Sequence, residues 1–464
     1  MFKSHELPEC IYEPNQPILI RPKSSTPKNI MYLSNLDDQK FLRFSIKYLY
    51  VFRKAVNIET LKESLSRVLV EYYPFAGRLR KCVENDDGKL EIDCNGEGAV
   101  FAAAKMDLSA DEFIEFFAAK PNRSLRKFMY IVEAPDFLDI PPLVIQVTNL
   151  SCGGIILCTV INHCFSDGIG TSQFLHAWAH TCQSIHSPNP TNLPYTLPPF
   201  HDRHVLTPRT PPQITFPHPE FTNSTPSNSQ TTPNIFKYLQ SQPLIPASIT
   251  FSPSQIRHLK NQCVPSLKCT TFEALASHTW RCWVKSLGLP LSIPVKLLFS
   301  VSVRTKMSIP QGYYGNAFVM GCAEAEAKEL ITPNLRDGVK LVQHAKSTIT
   351  NDYVHSMIDL LEDKSMRMDL STTLVISQWA KLGLEDLDFG EGKPIHMGPL
   401  YSDIYCLFLP VVGEFEAVKV LVSMPESVVD KFEYYMTKEF CGVVENGDAK
   451  NHVYEVDHLK MVSV

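Results

Sequence analysis

The chain has 464 residues, of which 44% are apolar and 20% charged, with a formal charge of −5. That balance fits a soluble globular protein and excludes a largely disordered one. With no long run of one sign it offers no footprint for nucleic acid, and its length leads us to expect two or three domains, each able to bury its own core.

At the N-terminus, MFKSHELPECIYEPNQ lacks a basic stretch followed by an apolar core, and no later segment reaches roughly 18 uninterrupted apolar residues, so neither secretion nor a membrane span is expected. The 13 cysteines are scattered without a CxxC pair. That spacing suits a reducing compartment, the cytoplasm, better than a disulfide framework or a thiolate metal site.

The first clear element is TLKESLSRVLVEYYPFAGRLR. A capping box from Thr60 to Glu63 predicts the start of a helix whose apolar stripe is Leu61, Leu65, Val68 and Leu69. Pro74 predicts its end near Tyr72. KLEIDC and PPLVIQVTNL read as strands, and GGIILCTVIN, nearly free of charge and rich in β-branched residues, reads as a strand buried on both faces. It is followed by HCFSDGIG, a glycine-rich exit turn, and then by a helix over TSQFLHAWAH.

Residues 181–235 hold 12 of the 34 prolines, with many Ser, Thr and Asn. This composition disfavours helix and sheet and marks a linker between two halves of comparable size. The second half opens with FSPSQIRHLKNQ, where Ser252, Pro253 and Gln255 predict a capped helix start. TTFEALASHTWRCWVKSL is a second helix, and VKLLFSVSV and YCLFLPVV are strands, so both halves mix the two element types and the fold class is α/β. The tail CGVVENGDAKNHVYEVDHLKMVSV is polar and expected to be loosely held.

Two His-x-x-x-Asp pairs occur. His355 and Asp359 lie in the helical pattern NDYVHSMIDLLED and are expected at its surface or core edge. His163 and Asp167 instead follow a buried strand and precede a glycine turn, a position from which a rigid scaffold presents reactive groups. His176 and His180 are spaced as metal ligands, but HExxH is not met and a third ligand is not evident, so no metal is expected. Phosphate-binding glycine loops and a GxSxG elbow are missing from the sequence, which argues against nucleotide chemistry and the common serine hydrolase arrangement.

HCFSDG at 163–168, YYGN at 313–316 and DFGEG at 388–392 occur in the order of the HxxxDG, YFGN and DFGWG signatures of the plant BAHD acyl-CoA-dependent acyltransferases. LSNLD at 33–37, YYPFAGRL at 72–79 and the CGG before the histidine strand add to this, and the chain resembles that family along nearly its whole length. NHCFSDGIG, CTTFEALASHTWR and LSTTLVISQWAKLG look most like the hydroxycinnamoyl transferases that esterify ω-hydroxy fatty acids and fatty alcohols.

The resemblance implies two chloramphenicol-acetyltransferase-like domains, each a mixed sheet flanked by helices: 1–185 carrying HxxxDG, a crossover linker at 186–235, and 236–464 carrying YYGN and DFGEG. It implies His163 as general base between an acyl-CoA and an alcohol acceptor, with no metal, no permanently bound cofactor and a monomeric state. Asp167 would pair with Arg304 rather than react, and Gly168 would leave room at the turn. Ser377 and Trp379 would sit near the tetrahedral intermediate. Asp388, Phe389, Gly390 and Gly392 would form a structural loop. Glu391 stands where the family has tryptophan, and Ser302 and Lys306 depart from its D-x-R-x-R pattern. Two other functions stay open: N-acylation of an amine, favoured by acidic residues in the acceptor channel, and a non-catalytic role as partner of fatty-acid elongation enzymes.

Overall fold

The computed structural model describes residues 7–83, 88–119, 123–186, 197–223, 235–400 and 405–440. The polar C-terminal tail from 441 and two parts of the Pro-rich segment, 187–196 and 224–234, lie outside the described residues.

Among those residues the strands build two large mixed sheets. In the first, the order is Ile11–Tyr12, Ala99–Met106, Leu143–Leu150, Ile155–Asn162, Ser45–Phe52 and His396–Pro399, with Ile18–Ile20 also paired to Ala99–Met106. Every residue of Ile155–Asn162 is buried, because Leu143–Leu150 and Ser45–Phe52 cover both of its edges and helices cover its face. The predicted doubly buried strand is this one. The α/β class holds, and one strand of the first sheet, His396–Pro399, comes from far along the chain and pairs antiparallel with Ser45–Phe52.

The helix Ile58–Glu71 ends as Pro74 predicts, but it starts before Thr60. Asn57 is its cap, accepting from the backbone N–H groups of Glu59 and Thr60. Asparagine caps at least as well as threonine, and Glu63 is engaged outside the helix start, with Lys23 and Arg67. Its buried stripe is Leu61, Leu65, Val68 and Leu69; each side chain removed from water contributes roughly 2 kcal/mol. This stripe packs with the helix Gly168–His186 against the first sheet.

The second sheet runs Leu244–Phe251, Glu414–Pro425, Cys406–Val411, Thr373–Gln378, Pro294–Ser302 and Phe318–Glu326. Helices Pro253–Asn261 and Thr271–Leu287 both begin with complete capping boxes, at Ser252 with Gln255 and at Thr270 with Glu273. They pack with Leu335–Thr348 and Glu426–Thr437 on one face of this sheet.

The Pro-rich segment is more ordered in its described middle than its composition suggests. Phe200 bridges to Tyr313, Arg203–Leu206 forms a 3-10 turn, and Phe221–Asn223 pairs with Met366–Met368. Asp359 is buried rather than peripheral, since its carboxylate accepts from the backbone and guanidinium of Arg209 and from the Gln213 N–H. Helix Asn351–Leu360 thus clamps the crossing chain.

Candidate active site

The buried strand Ile155–Asn162 delivers His163 just past its last residue. The register carries on for one more bond, as the His163 N–H donates to the Phe44 carbonyl at 2.9 Å. The imidazole lies edge to face with Phe44, ring centres 5.3 Å apart. Removal from water holds its pKa below the ordinary 6.5, against the raising influence of Asp167 and Asn316. The base form therefore persists below the pH at which a free histidine is half protonated.

Behind it, Asp167 receives both terminal nitrogens of Arg304, Nη1 at 2.7 Å and Nη2 at 2.9 Å. The same carboxylate accepts from the backbone N–H groups of Gly170 and Ala317. Four donors thus occupy both of its oxygens and tie it to the turn. Arg304 also donates to the Gly315 carbonyl, so this ion pair ties the exit turn of the first sheet to the connection between Pro294–Ser302 and Phe318–Glu326. At Gly170 a side chain would stand 1.8 Å from the Tyr314 carbonyl oxygen, which explains the second glycine of the turn.

That connection also brings Asn316, which the motif reading left without a role. Its Nδ2 donates to the His163 carbonyl at 2.8 Å and to Asp37 at 3.0 Å, which fixes the amide orientation and turns Oδ1 toward His163 Nδ1 at 3.1 Å. An acceptor there holds the proton on Nδ1 and leaves the Nε2 lone pair free. Asp37, fully buried, accepts further from the Asn316 N–H and from Arg203 Nη1 at 3.0 Å. Arg203 lies over the Tyr314 and Tyr313 rings, 4.7 and 5.2 Å from their centres, and donates to the Phe165 carbonyl. Asp37 and Asn316 were legible as polar residues inside motif matches; nothing in HDRHV distinguished Arg203 in a Pro-rich stretch.

His163 lines a cavity of about 590 Å³ between the two sheets. Gly168, Ser377 and Trp379 line it too. A side chain at Gly168 would come within 2.9 Å of Leu382. Trp379 stacks on Tyr48 with ring centres 5.2 Å apart, and its Nε1–H donates to Ser377 Oγ at 3.0 Å, leaving the hydroxyl proton of Ser377 to be donated elsewhere. Asp167 is the single carboxylate on the cavity wall among the described residues.

The DFGEG loop lies apart from this cavity. Phe389 is buried against Trp178 and Phe52, and Asp388 accepts from the Gly390 and Gly392 N–H groups. Both glycines have φ above 100°, which side-chain-bearing residues avoid. Glu391 is exposed, so a charge replaces the aromatic ring at no desolvation cost. Ser302 lines the cavity, and Lys306 donates to the Ile349 carbonyl after a helix end. His176 faces the Gly383 carbonyl at 2.9 Å. Among the described residues no three His, Cys, Asp or Glu side chains gather as a metal site would require.

Two mixed α/β units meeting at a histidine-bearing cavity define the chloramphenicol-acetyltransferase type of acyltransferase. The fold is shared with vinorine synthase, with a TM-score of 0.69 at 19% identity over 93% of this chain and 98% of that one. The Transferase family pattern matches residues 15–439, and the chain belongs to that family, the BAHD acyltransferases. It is 36% identical over 434 residues to omega-hydroxypalmitate O-feruloyl transferase of Arabidopsis thaliana, covering 90% of this chain and 91% of the relative. It is 35% identical over 439 residues to fatty alcohol:caffeoyl-CoA acyltransferase of the same plant, covering 92% and 98%.

Proposed function

We propose that this acyltransferase moves a hydroxycinnamoyl group from a CoA thioester to the hydroxyl of a long-chain alcohol, with His163 as the base. The observation that carries the reading is the imidazole on the cavity wall, its Nδ1 proton committed to Asn316. The two relatives named for feruloyl and caffeoyl transfer support the donor class.

In this reading the acceptor hydroxyl gives its proton to His163 Nε2 as its oxygen attacks the thioester carbonyl. The Ser377 hydroxyl, oriented by Trp379, donates to the oxyanion of the tetrahedral intermediate. Collapse expels the thiolate, which takes the proton back from the imidazolium. Asp167, Arg304 and Gly168 position the histidine turn, and Asp388, Phe389, Gly390 and Gly392 hold a distant loop.

The amine alternative needs carboxylates to attract a cationic acceptor, and the one on the wall is spent on Arg304. Residues 1–185 and 236–464 act as the two domains, joined by the crossover 186–235. The protein works as a cytoplasmic monomer with acyl-CoA as co-substrate and no resident cofactor. Among the described residues no helix is long and apolar enough to cross a membrane.

The test is CoA thiol release from feruloyl-, caffeoyl-, benzoyl- and acetyl-CoA, each with hexadecanol, benzyl alcohol and spermidine. Release fastest with a hydroxycinnamoyl donor and hexadecanol is expected. Transfer to spermidine alone, or no release from folded protein, contradicts the reading.

A further inference from the structure

Aromatic rings flank the imidazole of His163. The backbone of Phe44 is fixed against the histidine, its carbonyl accepting from the His163 N–H and its own N–H donating to the Leu42 carbonyl at 2.8 Å. Its ring stands edge to face with the imidazole at 5.3 Å, and Phe318 approaches the same imidazole with centres 6.1 Å apart. Phe41, Phe44, Phe318 and Tyr405 all line the cavity.

Three of these rings have apolar backing, since Phe41, Phe318 and Tyr405 pack against the buried group Leu298, Met320 and Val375. Phe44 differs. Among the described residues it joins none of the apolar clusters, and it is 38% exposed. Tyr405 lies nearly parallel to it, 17° between the planes, but the centres are 6.5 Å apart. That is near the outer end of the roughly 4.5–7 Å over which rings attract. Opposed or offset at that separation, neither ring covers the other's face. A large apolar ring is thus left uncovered on the cavity wall, beside the base.

Resting on the transfer reading above, we propose that Phe44 receives the aromatic ring of the acyl donor and thereby sets the preference for hydroxycinnamoyl over short acyl groups. Reaction holds the thioester carbonyl within about 3.5 Å of the groups that act on it. Three carbon–carbon bonds and the ring radius then carry a hydroxycinnamoyl ring centre about 5 Å beyond that carbonyl, within stacking reach of Phe44 when the acyl group lies along this wall. A benzoyl ring centre stands only about 3 Å from its carbonyl, and an acetyl group has no ring to offer. Covering Phe44 removes apolar surface from water. A flat ring gains more there than an alkyl group of equal area, because the faces and edges of aromatic rings carry opposite partial charge.

The experiment is kcat/KM for feruloyl-, benzoyl- and acetyl-CoA with hexadecanol, in wild type, Phe44→Leu and Phe44→Tyr, with folding checked by the unfolding midpoint. A loss that acts through the imidazole edge is shared by all donors and cancels in their ratio. The feruloyl-to-acetyl ratio is expected to fall about three- to ten-fold in Phe44→Leu and the benzoyl-to-acetyl ratio to fall less, while Phe44→Tyr keeps both near wild type. A feruloyl-to-acetyl ratio that Phe44→Leu does not move, or that Phe44→Tyr lowers as far, overturns the proposal. So does a larger shift in the hexadecanol-to-benzyl alcohol ratio with feruloyl-CoA, which would give this wall to the acceptor. Wild-type transfer that favours acetyl-CoA, or no CoA release with any donor, removes the transfer reading and this proposal with it, whereas a feruloyl preference that survives Phe44→Leu removes the proposal alone.

Discussion

A histidine serves as a base only when one ring nitrogen is committed and the other is free and unprotonated. Here Asn316 Oδ1 supplies the commitment, and its own amide is pinned by Asp37 and the His163 carbonyl. Asn316→Ala should therefore lower kcat by at least about ten-fold through loss of ring orientation while leaving the KM for acyl-CoA nearly unchanged; steady-state kinetics with varied donor decides this. The depressed pKa of His163 sets the direction of the pH dependence. Since protonation inactivates the base and burial lowers its pKa from 6.5, kcat/KM should hold through mildly acid solution and fall only below pH 6.5. A limb above that value would show that burial does not govern the ring.

At the scale of elements, the buried strand fixes where the histidine lands and the Asp167–Arg304 pair fixes where the turn leaves. Both partners are largely buried, with side-chain exposures of 7% and 18%, so Arg304→Met leaves an uncompensated carboxylate. It should cost about 3–5 kcal/mol in denaturant unfolding. Glu391→Trp, at an exposed loop position, should shift stability by less than about 0.5 kcal/mol. The sequence carried these elements unevenly. Periodicity and caps placed the strand before His163 and the helices after Ser252 and Thr270, because each signal is local. The start of the Ile58–Glu71 helix was misplaced by competition between two good caps, and Asp359 was misread because its partners, Arg209 and Gln213, lie far off in the chain.

For the molecule as a whole, the crossover is part of the site's support. Arg203, inside the Pro-rich segment, neutralises Asp37, which in turn holds Asn316 against His163. Arg203→Met should cost about 3–5 kcal/mol and reduce turnover as well, readable as parallel losses in unfolding midpoint and kcat. None of this was legible from composition, which marks the segment only as unfit for regular structure; a buried cation in a loop leaves no periodic trace. Nor did local patterns show that His396–Pro399 completes the first sheet, since strand exchange is decided by long-range pairing.

The most direct test of the account is acceptor-dependent CoA release by His163→Ala from feruloyl-CoA and hexadecanol, with folding checked by its unfolding midpoint. The account predicts a loss of about a hundred-fold or more in kcat in a folded protein. Release at the wild-type rate would contradict it and remove His163 from the chemistry.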